Sequence, residues 1–141
     1  MYEKILVAID GSKSASNALK SAVKLAKQFN SELYLVSVVN TANLPANVGV
    51  SYAPGLTKDL RENAQKDLND AEEVVKNAGV TYHVALLDGE PREQLVRYPK
   101  EHNIDLIVMG KTGTSSFTRV FVGSVTRYVS EHTDINVLIV V

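Results

Sequence analysis

The sequence lacks cysteine altogether, which excludes disulfide frameworks, thiolate metal sites and cysteine nucleophiles. An excess of either charge is also missing, because 15 lysines and arginines stand against 16 aspartates and glutamates, for a formal net charge of -1. That balance excludes a general electrostatic attraction to polyanions. We therefore expect no nucleic acid and no membrane among the partners of this chain.

Long apolar runs are absent as well. The first run, residues 5–9, is too short for the hydrophobic core of a signal peptide. No stretch approaches the roughly 20 apolar residues that span a bilayer. We therefore expect a cytoplasmic protein. The length of 141 residues and the hydrophobic share of 45% predict a single domain, residues 1–141, with a substantial core.

Two hydrophobic periodicities alternate along the chain. Apolar and β-branched runs predict strands at residues 5–9, 33–39, 80–87, 104–109 and 137–141. Apolar residues spaced three and four apart predict helices at 14–29, 56–78 and about 124–131. Pro91 suits the first turn of another helix, which Pro99 is expected to end or kink. Strand and helix therefore alternate, which predicts an α/β fold with an open parallel sheet and helices on both faces.

Glycine placement indicates where a ligand would bind. Ligands of open parallel sheets sit beyond the carboxyl ends of the strands, where the strand order reverses. The fourth strand is followed by Gly110 and Gly113, and after nine further residues Gly123 and Ser124 open the last helix. Glycine lets backbone N–H groups approach a phosphate closely, and a helix N-terminus favours negative charge. The pattern predicts a phosphate cradle, although an ordinary strand-to-loop turn at the first two glycines is the alternative.

Better-known phosphate motifs are excluded. Gly110-Lys111-Thr112 is similar to the end of a P-loop, but Asp105 occupies the position of the required upstream glycine. The first strand lacks Gly-x-Gly-x-x-Gly, so a dinucleotide fingerprint fails. The His-x-Gly-His and Ser-Gly-Gly-x-Asp-Ser elements of adenosine-phosphate enzymes are absent. Asp10 follows Ile9 rather than a second acid, which excludes a phosphoacceptor receiver domain.

The spacing Gly110-x-x-Gly113-x(9)-Gly123-Ser124 resembles the nucleotide-binding signature of the universal stress protein family, in its ATP-binding branch. The likeness covers essentially the whole chain. It includes the opening residues 5–12, the stretch 103–110 and the ending 137–141. The resemblance implies a Rossmann-like sheet with strand order 3-2-1-4-5, which would bring Asp10 and Gly110 onto adjacent strands. It also implies a small regulatory protein of the stress response.

The resemblance further implies which residues hold the nucleotide. Asp10 corresponds to the acid near the ribose, and Val39 corresponds to a backbone contact to adenine. Separately, because magnesium sites usually draw on one or two carboxylates together with substrate phosphates, Asp10 is the candidate ligand for a magnesium ion bound with the nucleotide. The full set of implied ATP-binding residues is Ala8, Ile9, Asp10, Val39, Met109, Gly110, Thr112, Gly113, Gly123, Ser124, Val125 and Thr126. A homodimer built through the last strand, residues 137–141, is implied as well.

Catalysis is not indicated. Rapid ATP hydrolysis needs an oriented water, charge neutralisation and usually a base or an arginine near the γ-phosphate. Arg119 lies within the nine-residue spacer, but nothing else there resembles a base. The alternatives to an ATP-binding regulator are therefore a slow ATPase and a non-catalytic dimeric interaction protein of the same fold.

One local exception to the charge balance lies near the N-terminus. Lys13, Lys20, Lys24 and Lys27 fall in a stretch with no acid between Gly11 and Ser31. A solvated helix face and a binding patch both fit this pattern, and the sequence leaves them open.

Overall fold

The structure is a computed structural model that describes residues 1–41, 53–112 and 122–141. Strands and helices alternate through these ranges. In chain order they are β1 (Lys4–Ala8), α1 (Lys13–Phe29), β2 (Glu32–Asn40), α2 (Ala53–Ala78), β3 (Tyr82–Gly89), α3 (Pro91–Glu101), β4 (Leu106–Gly110), α4 (Ser124–His132) and β5 (Asn136–Val140). The strands form one parallel sheet in the order β3-β2-β1-β4-β5. The expected α/β class and strand order are confirmed.

The apolar runs become central strands because both faces of the sheet are covered. Ile5, Leu6 and Val7 of β1 are fully buried, and all five residues of β4 are buried. Side chains of α1 and α2 complete the core on one face of the sheet, and side chains of α3 and α4 complete it on the other. In the described ranges, no helix combines the length and apolarity needed to cross a bilayer.

A cleft forms where β1 and β4 lie side by side. Ile5 pairs in register with Leu33 of β2 on one side and with Leu106 of β4 on the other. The chain leaves β1 through α1 on one face of the sheet and leaves β4 toward α4 on the other face. The two exits diverge, so the carboxyl ends of these strands border an opening, as expected at a switch in strand order.

Pro99 lies inside α3, which continues to Glu101 before His102 ends it. The ring is buried among the core residues of that helix, where its lack of an N–H group removes one intrahelical donor. The helix therefore ends two residues after the proline rather than at it.

Candidate functional site

A cavity of about 460 Å³ opens at the carboxyl ends of β1, β2 and β4. The first turns of α3 and α4 close its other sides. Its lining residues are Ala8, Ile9, Asp10, Ala15, Val36, Val38, Pro91, Leu95, Met109, Gly110, Thr112, Val122, Gly123, Ser124, Val125 and Thr126. The structure thus brings ten of the twelve expected nucleotide-binding residues to one cavity. Gly113 and the spacer that follows it lie outside the described residues.

Val39 does not lie at this cavity. Its side chain is 2% exposed and is not among the lining residues. Backbone N–H and C=O groups alternate in direction along a strand. The N–H groups of Leu33 and Thr41 donate to the carbonyls of Thr81 and Gly89, on the side of β3. Val39 is an even number of residues from both, so its own N–H and C=O also point to β3.

The neighbouring Val38 occupies the place expected of Val39. The carbonyl of Val36 accepts a hydrogen bond from the N–H of Ile9 at 2.8 Å, so the backbone groups of Val36 and Val38 point toward β1. The register of β1 on β2 ends at Ala8 and Val36. Among the described residues, the N–H and C=O of Val38 therefore have no partner in β1, and they lie at the cavity.

One side of the cavity is an apolar wall that the sequence analysis did not identify. Val36 and Val38 come from β2, and Pro91 and Leu95 come from α3. Alternation along β2 was a usable signal, since residues two apart share a face. Nothing in the sequence alone indicated that the first turn of α3 would lie against β2.

The N-terminus of α4 forms the opposite, polar side. Side-chain caps close α1 and α3: Ser12 Oγ accepts from the N–H of Ala15 at 3.0 Å, and the Glu90 carboxylate accepts from the N–H of Glu93 at 3.0 Å. Gly123 occupies the same position in α4 and has no side chain to accept such a bond. Within the described ranges, the first N–H groups of α4 therefore have no side-chain cap, and such groups favour an anion.

The conformation of Gly123 does not itself require glycine. Its φ of -59° and ψ of 154° are allowed for any residue. Its own N–H donates to the carbonyl of Lys111 at 2.7 Å, so that group is already used within the chain. The absence of a side chain at Gly123 serves to leave the cavity and the helix N-terminus open.

The hydroxyl of Thr126 already donates a hydrogen bond within the fold. Its hydroxyl donates to the carbonyl of Gly110 at 2.8 Å, and the residue is 5% exposed. This bond fixes the first turn of α4 against the end of β4. The hydroxyl of Ser124, in contrast, belongs to an exposed residue that lines the cavity.

Gly110 is required by packing within the chain. A Cβ atom placed on it would lie 2.6 Å from the backbone carbonyl carbon of Ser14 and 2.8 Å from its Cβ. Ser14 Oγ also accepts a hydrogen bond from the N–H of Thr112 at 3.3 Å. The first turn of α1 therefore lies directly on the end of β4. The sequence analysis considered phosphate approach and a strand-to-loop turn as reasons for glycine at this position, and it did not identify this contact.

Asp10 is an exposed acid at the cavity edge. One of its carboxylate oxygens accepts hydrogen bonds from the Ser12 N–H at 2.9 Å and from the Ser12 hydroxyl at 2.5 Å. The carboxylate of Asp67, in α2, lies beside Gly11. Burial raises the pKa of Asp67, and the negative charges of Asp10 and Asp70 raise it further. Lys66 partly offsets this shift in the pKa of Asp67.

The described residues do not build a metal site by themselves. In the three described ranges, no group of three or more histidine, aspartate or glutamate side chains converges in a way that holds a metal ion. Magnesium in nucleotide sites is bound by one or two carboxylates together with substrate phosphates. The single carboxylate of Asp10 fits that second arrangement.

Comparisons with known proteins agree over the full length of the chain. The sequence profile of the universal stress protein family matches residues 1–141. The universal stress protein YxiE of Bacillus subtilis is 34% identical over 150 residues, covering 99% of each chain. The universal stress protein UspA of Lactobacillus plantarum superposes with a TM-score of 0.91 at 30% identity, covering 99% of this chain and 98% of that one.

A third relative is a universal stress protein whose crystal structure was solved in complex with cAMP. It superposes with a TM-score of 0.76 at 28% identity, covering 99% of this chain and 97% of that one. The fold, the sheet order and the whole-length sequence match agree, and this chain belongs to the universal stress protein family.

Proposed function

We propose that this chain binds ATP in the cavity between the ends of β1 and β4. The observation that carries the proposal is the start of α4, where Gly123 lines the cavity and no described residue caps the first N–H groups with its side chain. Unpaired N–H groups and the helix dipole together stabilise a phosphate. The relative solved with cAMP supports an adenine nucleotide as the ligand class.

The apolar wall suits the base. Val36, Val38, Pro91 and Leu95 offer an apolar surface opposite the polar helix start. The backbone N–H and C=O of Val38 supply one donor and one acceptor, which match the N1 acceptor and the amino donor of adenine. We therefore place the base at β2 and α3, and the phosphates at α4.

Asp10 lies between these two ends, at the position that suits the ribose. Its carboxylate is an acceptor for ribose hydroxyls, and with the phosphates it supplies a ligand set that magnesium prefers. Magnesium, when bound, would neutralise phosphate charge next to the carboxylate.

The cavity supports binding more than catalysis. Asp10 is the only ionisable residue among those lining it in the described part of the chain. A γ-phosphate transfer site normally adds a base and cationic side chains. We infer a regulatory ATP-binding protein of the stress response, in which any hydrolysis is slow.

The proposal predicts a ladder of affinities. Because most of the identified polar groups face phosphates, we expect calorimetry to give tighter binding for ATP than for ADP, AMP and adenosine in turn. Removing the phosphates should weaken binding by about tenfold or more in total, which corresponds to about 1.4 kcal/mol. Equal affinities across the series would remove the role assigned to the start of α4.

We also propose that the chain forms a homodimer through β5. This strand pairs with β4 on one edge, and no strand of the described residues pairs with its other edge. Leu138 and Ile139 are 39% and 36% exposed, and an apolar strand edge favours pairing with another chain. Two copies of β5 running antiparallel would form a symmetric dimer.

Replacing Ile139 with lysine is expected to convert this dimer to monomers. Each copy of β5 would then bring a positive charge into the interface, and the two charges would repel each other. Analytical ultracentrifugation measures the mass, and circular dichroism checks the fold. A matched control, Lys100→Glu, changes an exposed residue of α3. A folded Ile139→Lys protein that remains dimeric would show that β5 is not the interface.

A further inference from the structure

Two walls of the nucleotide cavity belong to two different helices. Pro91 and Leu95 of α3 line the apolar side. Ser124 and Val125, at the start of α4, line the polar side. In the placement proposed above, the base contacts the first wall and the phosphates contact the second. The fit of ATP therefore depends on the spacing between the starts of α3 and α4.

One side-chain contact joins these two helices near the cavity. The guanidinium carbon of Arg92 lies 5.6 Å from the centre of the Tyr128 ring, within the range of cation–π contacts. Arg92 follows Pro91 directly, and Tyr128 lies one turn after Ser124. Among the described residues, no other hydrogen bond, ion pair or aromatic contact connects a side chain of α3 with a side chain of α4.

The guanidinium of Arg92 is fixed on its own helix. Its Nε donates a hydrogen bond to the Glu90 carboxylate at 2.8 Å. The second carboxylate oxygen of Glu90 accepts from the N–H of Glu93 at 3.0 Å and so caps α3. Glu90 therefore holds the cation against the first turn of α3.

The ring of Tyr128 is also fixed on its own helix. It stacks on the ring of His132, with the ring centres 3.9 Å apart and the planes 15° from parallel. Nδ1 of His132 lies 2.8 Å from the carbonyl oxygen of Tyr128, so the imidazole donates a hydrogen bond there. Two groups that are already ordered lose little side-chain freedom when they meet.

The contact adds little to the core of the protein. The Arg92 side chain is 48% exposed, and the buried side chains of Leu95 and Val129 belong to the core that packs α3 and α4 against the sheet. A cation–π contact at an exposed site changes an equilibrium constant by only about two- to fivefold. What distinguishes this contact is its location between the two walls of the cavity.

We propose that Arg92 and Tyr128 are positioning residues for the nucleotide, whose contact holds the α3 wall and the start of α4 at the spacing that ATP requires. This inference rests on the ATP site proposed above. Neither residue is among those that line the cavity, so both act through the walls. A site whose walls are fixed in advance loses less free energy to ordering when the ligand binds.

Calorimetry with ATP and with adenosine tests this role, because adenosine lacks the phosphates that reach α4. Tyr128→Leu removes the aromatic face without changing the net charge. We expect this variant to bind ATP about two- to fivefold more weakly and to bind adenosine as the wild type does. Arg92→Met, which keeps an unbranched side chain, should have the same effect. A purely structural defect would not separate the two ligands.

Two control variants separate position from charge and from side-chain loss. Tyr128→Phe keeps the aromatic face and should bind ATP as the wild type does. Arg97→Met removes another exposed arginine of α3, which pairs with Glu101 at 3.7 Å, and should leave ATP affinity close to that of the wild type. Circular dichroism checks the fold of every variant.

The double variant Arg92→Met with Tyr128→Leu should bind ATP no more weakly than either single variant, because both changes remove the same contact. Losses that multiply in the double variant would overturn the proposal, as would wild-type ATP affinity in Tyr128→Leu or equal weakening of ATP and adenosine. These three results would leave the ATP site itself in place. A wild type that does not bind ATP would overturn the proposed function together with this inference.

Discussion

Replacing Gly110 with alanine is expected to destabilise the folded chain by about 2–3 kcal/mol, the upper part of the usual range for overpacking a buried site. The added Cβ would lie 2.6 Å from the backbone carbonyl carbon of Ser14, where neither atom can rotate away. Relief therefore requires α1 to move from the end of β4. Urea unfolding followed by circular dichroism measures the change in the free energy of unfolding.

A second glycine provides the control for Gly110. Gly55 lies near the start of α2 with nothing within 4 Å of an added Cβ. Gly55→Ala should therefore leave the free energy of unfolding unchanged or raise it by up to about 1 kcal/mol, because alanine restricts the unfolded chain. A Gly110→Ala protein as stable as Gly55→Ala would show that α1 does not lie against β4 as described.

Replacing Gly123 with valine is expected to weaken ATP binding by about 100-fold or more, equivalent to about 2.8 kcal/mol, with little loss of stability. The branched side chain would occupy the space in front of the first N–H groups of α4. The backbone of Gly123 is in an ordinary conformation, so the cost to folding is that of a poorer helix cap, about 1 kcal/mol.

Thermal unfolding separates the two effects at Gly123. At 100 times its dissociation constant, a ligand stabilises the native state by about 2.7 kcal/mol, which raises the melting temperature by several degrees. ATP should produce this rise in the wild type and in Gly55→Ala, but not in Gly123→Val. A Gly123→Val protein that keeps the full rise would show that the start of α4 does not bind the phosphates.

The order of the elements could be predicted from the sequence because each hydrophobic period reports which faces are buried. The continuous run at residues 5–9 marks a strand covered on both sides, and β1 is the central strand of the sheet. The strand order itself came from the family resemblance, since periodicity carries no information on which strands are neighbours. Element ends differ from the predictions by at most three residues, as at β3, which begins at Tyr82 instead of Val80.

The site was harder to predict at the level of single residues. Val38 and Val39 are both apolar strand residues, and a shift of one position exchanges both the face and the direction of the backbone groups. Pro91 and Leu95 reach the cavity only because α3 packs across β2. The glycines at positions 110 and 123 look equivalent in the sequence, but Gly110 is required by its contact with Ser14, whereas the backbone conformation of Gly123 is open to any residue.

The position of β1 in the sheet has a consequence for the chain during translation. β1 is among the first residues made, but one of its two neighbours is β4, which pairs with it about 100 residues later in the chain. Until β4 has left the ribosome, Ile5, Leu6 and Val7 have a free edge, and the opening beside Asp10 has only one wall. A nascent chain that ends before α4 contains four complete strands but lacks the proposed phosphate position at the start of α4. Nucleotide capture on the ribosome would thus report that synthesis has passed Thr126, and it would stabilise only chains whose sheet is already closed around β1.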